Sequence, residues 1–142
     1  MISKKDIKIL DVIKKNCKLS TREISEKTGI PITTIHNRIK KLENEGIIKS
    51  YKAVIDNKKI GKNVQAFIQL TTNYRSQDYI AKKISAIPEV EECYILTGTT
   101  DVLIKVVATD VDQVNSLIID GLKSIKGVQK TLTSIVLKEI AI

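Results

Sequence analysis

Thr33, Thr34, His36 and Asn37 stand within five residues of one another, and Lys40 and Lys41 follow them. Hydroxyls, an imidazole and an amide can reach base edges in a DNA groove, whereas lysines suit phosphates. Short polar side chains first and cations after fit a helix whose amino end enters a groove. An ordinary solvated helix face accounts for the polarity but not for that order.

Other chemistries lack their residues. His36 is the single histidine, so neither a Ser-His-Asp triad nor a multi-histidine metal site can be assembled around it. Cys17 and Cys93 lie 76 residues apart without a CxxC partner, which argues against zinc and redox motifs and reads as two small buried hydrophobes. No GxGxxG, P-loop or HExxH occurs. The expectation is a protein without metal, cofactor or catalytic residues, and not an enzyme.

The charge is unevenly placed. The 142 residues carry a net +8, yet residues 1–63 hold 16 Lys and Arg against 7 Asp and Glu, and residues 64–142 hold 8 against 9. A basic half at +9 joined to a half at −1 suggests a polyanion-binding module and a module with another task. Lys outnumbers Arg 21 to 3 and Ile occurs 25 times, so a Lys-rich proteome is the bland alternative. No apolar run approaches the roughly 18 residues of a membrane span, and Met1-Ile-Ser-Lys-Lys-Asp6 has no apolar signal core. A cytoplasmic protein with no membrane partner is expected.

The elements that must position the polar cluster can be read from spacing. Ile7, Leu10 and Ile13, with Ile9 alongside, recur at helical intervals over residues 5–16. Ser20-Thr-Arg-Glu23 is a capping box, and Leu19 with Ile24 forms a hydrophobic staple around it. Gly29 suits the left-handed end of that short helix. Pro31 is preset for the first turn of a third helix, whose buried stripe is Ile32, Ile35, Ile39 and Leu42 and which ends at Gly46. Two helices joined by a short turn containing Gly make a helix-turn-helix. Residues 46–56 read as an extended wing or linker strand, with Ile48, Tyr51, Ala53 and Ile55 available for packing, before Asn57-Lys-Lys-Ile-Gly61 breaks the pattern.

Beyond residue 63 the period changes to two: Val64, Ala66, Ile68 and Leu70 alternate with Gln65, Phe67 and Gln69. A helix with Tyr79, Ile80, Ile84 and Ile87 ends at Pro88. Strands follow at Val90–Leu96 and Val102–Thr109, then a helix with Val111, Val114, Leu117, Ile118 and Leu122, and a last strand from Val128 to Leu137. Ile80, Ile84, Ile87, Val90 and Tyr94 recur 38 residues later as Ile118, Leu122, Ile125, Val128 and Leu132. The order is a βαββαβ, or ferredoxin-like split βαβ. Both helices of that topology cover one face. Leu103 and Val107 oppose Val102, Ile104 and Val106 on the third strand, so the second face is apolar too and calls for a cover. A second copy, sheet against sheet, is the expected cover; the basic half is the alternative.

Three stretches together resemble the Lrp/AsnC (feast/famine) transcription regulators of bacteria and archaea. They are Ile7-Lys-Ile-Leu10; the run from Leu19-Ser-Thr-Arg-Glu-Ile24 through Thr34-Ile-His-Asn-Arg-Ile-Lys-Lys-Leu-Glu43 to Gly46-Ile-Ile-Lys-Ser-Tyr51; and Gly98-Thr-Thr-Asp101 with Gly127-Val128 and Ile135-Val-Leu137. The resemblance, of archaeal type, implies an α+β chain. Residues 1–50 would be a winged helix-turn-helix DNA-binding domain, 51–63 a linker or wing strand, and 64–142 a RAM domain for effector binding and oligomerisation. It implies dimers through RAM sheets, tetramers or octamers above them, and an amino-acid effector near the turn between the second and third RAM strands. Gly98, Thr99, Thr100 and Asp101 are then effector candidates, with Thr131 and Thr133 behind them. Asp101 offers a partner for an ammonium, and the Gly98 amide one for a carboxylate. Against the common family pattern, Pro31 replaces a Ser cap, and Gly-Thr-Thr-Asp replaces Gly-Asp-Tyr-Asp.

The expected function is sequence-specific regulation on a pseudo-palindromic duplex site. The DNA-contacting set is Ser20, Thr21, Arg22, Thr33, Thr34, His36, Asn37, Arg38, Lys40, Lys41, Lys49 and Lys52. Two rivals are an amino-acid sensor acting on a protein partner and a haem-precursor decarboxylase on the same scaffold. The decarboxylases rely on more than one histidine, and the basic half argues against the first rival.

Overall fold

Ser3 starts the first helix. Its Oγ accepts the Asp6 N–H at 3.1 Å, while its own N–H donates to Asp6 Oδ2 at 2.9 Å, a reciprocal box at the head of α1 (Lys4–Lys15). The computed structural model describes residues 1–73 and 77–142, in two units, Met1–Val54 and Ile55–Ile142.

In the first unit α1 buries Asp6, Ile9 and Ile13 on one stripe. Ile7, expected in that stripe, is exposed, because the stripe runs one position to its side and Ile9 occupies the core. In α2 (Thr21–Thr28) the Ser20 Oγ accepts the Glu23 N–H at 3.2 Å, and Gly29 closes the helix at φ +72°, a conformation only glycine adopts without strain. The Ser25 hydroxyl donates to the Ile30 carbonyl at 2.6 Å across the turn. Pro31 then caps α3 (Ile32–Asn44) without a side-chain bond. Ile35 and Leu42 anchor α3; Ile39 is half-buried and Ile32 is exposed, which narrows the expected stripe. Ile9, Ile13, Ile24, Ile30 and Ile35 form the core of the unit. Each such side chain contributes about 1.5–3 kcal/mol on full burial.

Residues 49–56 take no strand pairing, and of their expected packing partners Tyr51, Ala53 and Ile55 are exposed, leaving only Ile48 half-buried. A lone extended segment has no ladder to join among the described residues. A short 3₁₀ turn at Asn57–Ile60 precedes the second unit's sheet.

That sheet is antiparallel throughout, in the order β2-β3-β1-β4, from β1 (Val64–Thr72), β2 (Val90–Ile95), β3 (Val102–Ala108) and β4 (Val128–Ile135). This is the split βαβ expected from the repeat. α4 (Gln77–Ser85) and α5 (Val111–Ser116) enclose one core with one sheet face. Ala66, Ile68 and Leu70 of β1, Val102, Ile104 and Val106 of β3, Ile80 and Ile84, and Val114 and Leu122 meet there. Tyr79 and Val111, expected inside, are exposed: Tyr79 sits beside Ile80, which takes the core position in α4, and Val111 opens α5 one turn before the buried Val114. α5 runs on into a wider π-type turn at Leu117–Leu122, and its buried residues Leu117 and Leu122 are five apart, the spacing of that turn rather than of an α-helix.

The repeat survives in the hydrogen bonds. Ile87 donates to the Ile84 carbonyl at 2.9 Å and Val90 to Ile87 at 3.1 Å; Ile125 donates to Leu122 at 3.1 Å and Val128 to Ile125 at 3.2 Å. Two identical helix-to-strand turns therefore feed the two edge strands. Cys17 is exposed and Cys93 half-buried, so neither is the buried hydrophobe expected.

The sheet face away from α4 and α5 is defined by register. Leu103 lies between Tyr94 and Gln69, Gln69 between Leu103 and Leu132, and Phe67 opposite Lys105. Tyr94 is 49% and Leu132 58% exposed, and Phe67 is also exposed, whereas Val107 on the same face is buried. Lys105 pairs with Glu91 at 3.7 Å. The face mixes Phe67, Tyr94, Leu103, Val107 and Leu132 with Gln69 and Lys105, so it is less uniformly apolar than expected.

Candidate nucleic-acid interface and effector loop

The first unit concentrates its polar side chains on the outer side of α3. Ile35 and Leu42 face inward with Ile39 half-buried between them, so positions 33, 36, 37, 40 and 41 fall on the other side of a 3.6-residue turn. Thr33, His36, Asn37, Lys40 and Lys41 are all exposed there, and Thr34 is half-buried at its margin. This brings together the short polar residues and two of the lysines expected on one face. Ser20 caps α2 with Thr21 half-buried and Arg22 exposed beside it. Lys49 and Lys52 lie apart from that face, lining an open groove with Ile7, Leu10, Cys17 and Tyr51 along α1. Burial and then the Glu43 carboxylate push the Tyr51 hydroxyl above its ordinary value.

Arg38 is placed differently from its neighbours. Its Nη1 lies 3.8 Å from Asp6 Oδ2, with the arginine side chain 34% exposed. Asp6 itself is 4% exposed, and its Oδ1 has no hydrogen-bond partner among the described residues. The bond from the Ser3 backbone holds the Asp6 carboxyl below its ordinary value, with the Ser3 hydroxyl, Arg38 and Lys41 acting the same way against the opposing effect of burial. The sequence reading missed Asp6. The signal was present as Ser3-Lys-Lys-Asp6, which has the spacing of a capping box with Asp at its last position.

In the second unit the turn from Thr97 to Asp101 joins β2 to β3. Gly98 has φ +102°, and a side chain added there would meet open space. Asp101 is tied into the chain at four points. Its Oδ2 accepts the Thr72 N–H at 2.8 Å and its Oδ1 the Gln77 side-chain amide at 3.1 Å. Its N–H donates to the Leu70 carbonyl at 3.0 Å, and its carbonyl accepts from Leu96 at 2.8 Å. Thr100 Oγ1 lies 3.1 Å from Gln69 Oε1, Thr99 is exposed, and all four loop candidates therefore share one end of the sheet. Thr131 and Thr133 pair with Leu70 and Ile68 on β1, both half-buried. Thr131 lies in the row of Leu70 and Val102, one residue beyond Asp101, and Thr133 lies further from the loop. Gln77, the second residue holding the Asp101 carboxylate, was not a candidate: nothing local in the sequence ties it to a residue 24 positions away.

Among the described residues no group of three or more His, Cys, Asp and Glu could hold a metal ion, and no helix is long and apolar enough to cross a membrane.

Residues 65–142 match the family model of the Lrp/AsnC ligand binding domain. The chain belongs to the Lrp/AsnC family. Residues 2–49 match the model of a winged helix-turn-helix DNA-binding domain. The HTH-type transcriptional regulator FL11 of Pyrococcus furiosus is 38% identical over 94% of this chain and 87% of its own length. The leucine-responsive regulatory protein of Haemophilus influenzae is 29% identical over 95% of this chain and 83% of its own. Among solved structures, a transcriptional regulator of Neisseria meningitidis in complex with L-Met superposes with a TM-score of 0.91 at 34% identity, covering 99% of this chain and 93% of that one. AsnC of Escherichia coli gives a TM-score of 0.87 at 27% identity over 100% and 96%. These Lrp/AsnC relatives are named transcriptional regulators, and the two-part α+β architecture is theirs.

Proposed function

We propose that this Lrp/AsnC protein is a cytoplasmic homodimer that reads duplex DNA with α3 and responds to an amino acid bound at its C-terminal unit. The observation that carries it is the outer face of α3, where Thr33, His36, Asn37, Lys40 and Lys41 stand exposed on a helix anchored by Ile35 and Leu42. Thr33, Thr34, His36 and Asn37 meet base edges; Lys40, Lys41, Lys49 and Lys52 meet phosphates; Ser20, Thr21 and Arg22 approach the backbone from the start of α2. The net +9 of residues 1–63 supports a polyanionic partner.

The second copy covers the sheet face bearing Phe67, Tyr94, Leu103 and Leu132. A two-fold axis then imposes a pseudo-palindromic site with half-sites a whole number of helical turns apart. Tetramers or octamers are built from such dimers. The L-Met held by the neisserial relative supports an amino-acid ligand here as well. In this chain the Gly98, Thr99 and Thr100 turn receives it, with Thr131 and Thr133 on β4 of the same sheet, and Asp101 braces the turn because both its oxygens already accept bonds.

Selection of bound fragments from genomic DNA, with and without a pool of amino acids, tests this directly. The expected result is enrichment of a two-fold symmetric sequence whose recovery shifts with the pool. Recovery of no DNA at any salt concentration would sink the proposal and favour action on a protein partner.

A further inference from the structure

A buried carboxylate with one oxygen unpartnered needs a reason to be there. Asp6 sits at the edge of the core formed by Ile9, Ile13 and Ile35, 4% exposed, with Oδ1 lacking a hydrogen-bond partner among the described residues. Capping α1 is one role, since Oδ2 takes the Ser3 N–H. The same oxygen faces Arg38 at 3.8 Å, from a different helix and 32 residues further along the chain. Arg38 is one position beyond Asn37 and three before Lys41, at the margin of the face proposed for DNA. A guanidinium carries five N–H donors in a rigid planar fork, so one end can face a carboxylate while the other meets a second anion. A third of the Arg38 side chain is open to solvent.

We infer that Asp6 is a positioning residue for DNA binding: it holds one end of the Arg38 guanidinium at the α1–α3 contact so that the other end meets a DNA phosphate. The inference rests on the DNA-binding reading of α3. On this account Arg38 is a bridge between the protein's own anion and the nucleic acid's. It is thereby distinct from Lys40 and Lys41, point charges that form no ion pair within 4 Å among the described residues. Holding the fork before DNA arrives removes rotamer freedom that would otherwise be lost on binding.

The test is a double-mutant cycle on binding of the full chain to duplex DNA over a range of salt concentrations. Asp6→Asn, Arg38→Gln and the double variant are compared with wild type, with circular dichroism checking that each folds. Arg38→Gln is expected to weaken binding about ten-fold at low salt and to lower the slope of log K against log salt by about 0.9. Asp6→Asn is expected to reproduce much of both changes although it removes a negative charge, and the double variant to bind no more weakly than Arg38→Gln alone. Independent, additive effects, or a tighter-binding Asp6→Asn, would overturn the inference, the latter because it means that Asp6 competes with DNA for the arginine. Should Asp6→Asn not fold, Arg38→Lys carries the test: it keeps the charge without the fork, and wild-type affinity in that variant overturns the bridge. A wild-type chain that binds no DNA overturns the underlying reading, and the inference with it. A wild-type chain that binds tightly while Asp6→Asn matches it overturns the inference alone.

Discussion

Asp101 Oδ2 accepts the backbone N–H of Thr72 at 2.8 Å, joining the start of β3 to the last residue of β1. The carboxylate that suggests an ammonium partner is thus already employed in holding the end of the sheet, with Gln77 on its other oxygen at 3.1 Å. Removing it leaves a buried amide N–H unpaired, which costs about 1–3 kcal/mol. Asp101→Ala is therefore expected to lower the stability of the C-terminal unit by that amount, read by denaturant unfolding. A variant as stable as wild type, yet blind to an amino acid that shifts wild-type DNA binding, would instead place Asp101 on the ligand.

Asn37 and Lys40 stand one turn apart on the same face of α3, and the proposed function gives them different parts of the duplex. An amide that pairs with one base discriminates by about 1–3 kcal/mol, whereas a lysine on phosphate carries no sequence information. Asn37→Ala should relax preference at a single base step. Lys40→Ala should weaken all sequences alike and shallow the salt dependence by about one unit. Titrations of both variants against a panel of operators separate the two, and uniform losses for Asn37→Ala would remove it from the base-reading set.

How much of this was legible in the chain depends on how far apart the cooperating residues lie. Ile80, Ile84 and Ile87 and their counterparts Ile118, Leu122 and Ile125 announce the repeat because helix and turn contacts are local, and the matching Val90 and Val128 bonds confirm it. Gly29 and Gly98 could be placed in turns for the same reason, and both have positive φ. Tyr79, next to Ile80, and Ile7, two positions before Ile9, border their stripes rather than belong to them: an apolar residue beside the stripe looks like part of it until packing decides. Asp6 with Arg38, and Asp101 with Thr72 and Gln77, were beyond reach because those pairs meet only after helices dock or strands register. The segment expected as a wing or linker strand shows the complementary case. A strand needs a neighbour, and residues 49–56 have none among the described residues.

Tyr94 and Leu132 are repeat counterparts on the two edge strands and are about half exposed on the sheet face that lacks helices. Apolar side chains at both edges of one face suit a self-complementary interface about a two-fold axis. Leu132→Asp puts a charge on the proposed interface in both copies without touching the helix-covered core. It is expected to shift the proposed dimer to monomer at micromolar concentration, seen by sedimentation, while circular dichroism stays native. A Leu132→Asp protein that sediments as wild type would move the interface elsewhere.

The Asp6 carboxyl also makes the N-terminal unit sensitive to acid. Its value lies below the ordinary 3.8 because the folded chain favours the charged form, chiefly through the Ser3 N–H and further through the Ser3 hydroxyl, Arg38 and Lys41, which outweigh burial. Between the lowered and the ordinary value the unfolded chain binds more protons than the folded one, so stability rises with pH across that window. The contribution is complete above the ordinary carboxylate range and disappears as pH falls through the lowered value. Asp6→Asn should cost about 1 kcal/mol at pH 7 and flatten the acid limb of the stability curve, and Ser3→Ala, which removes the hydroxyl half of the cap, should cost about 0.5–2 kcal/mol. Hydrogen exchange of α1 and α3 amides, followed from pH 7 to pH 3, isolates this unit from the C-terminal sheet. If the Asp6→Asn protein loses protection over the same pH range as wild type, the acid sensitivity belongs to another carboxylate.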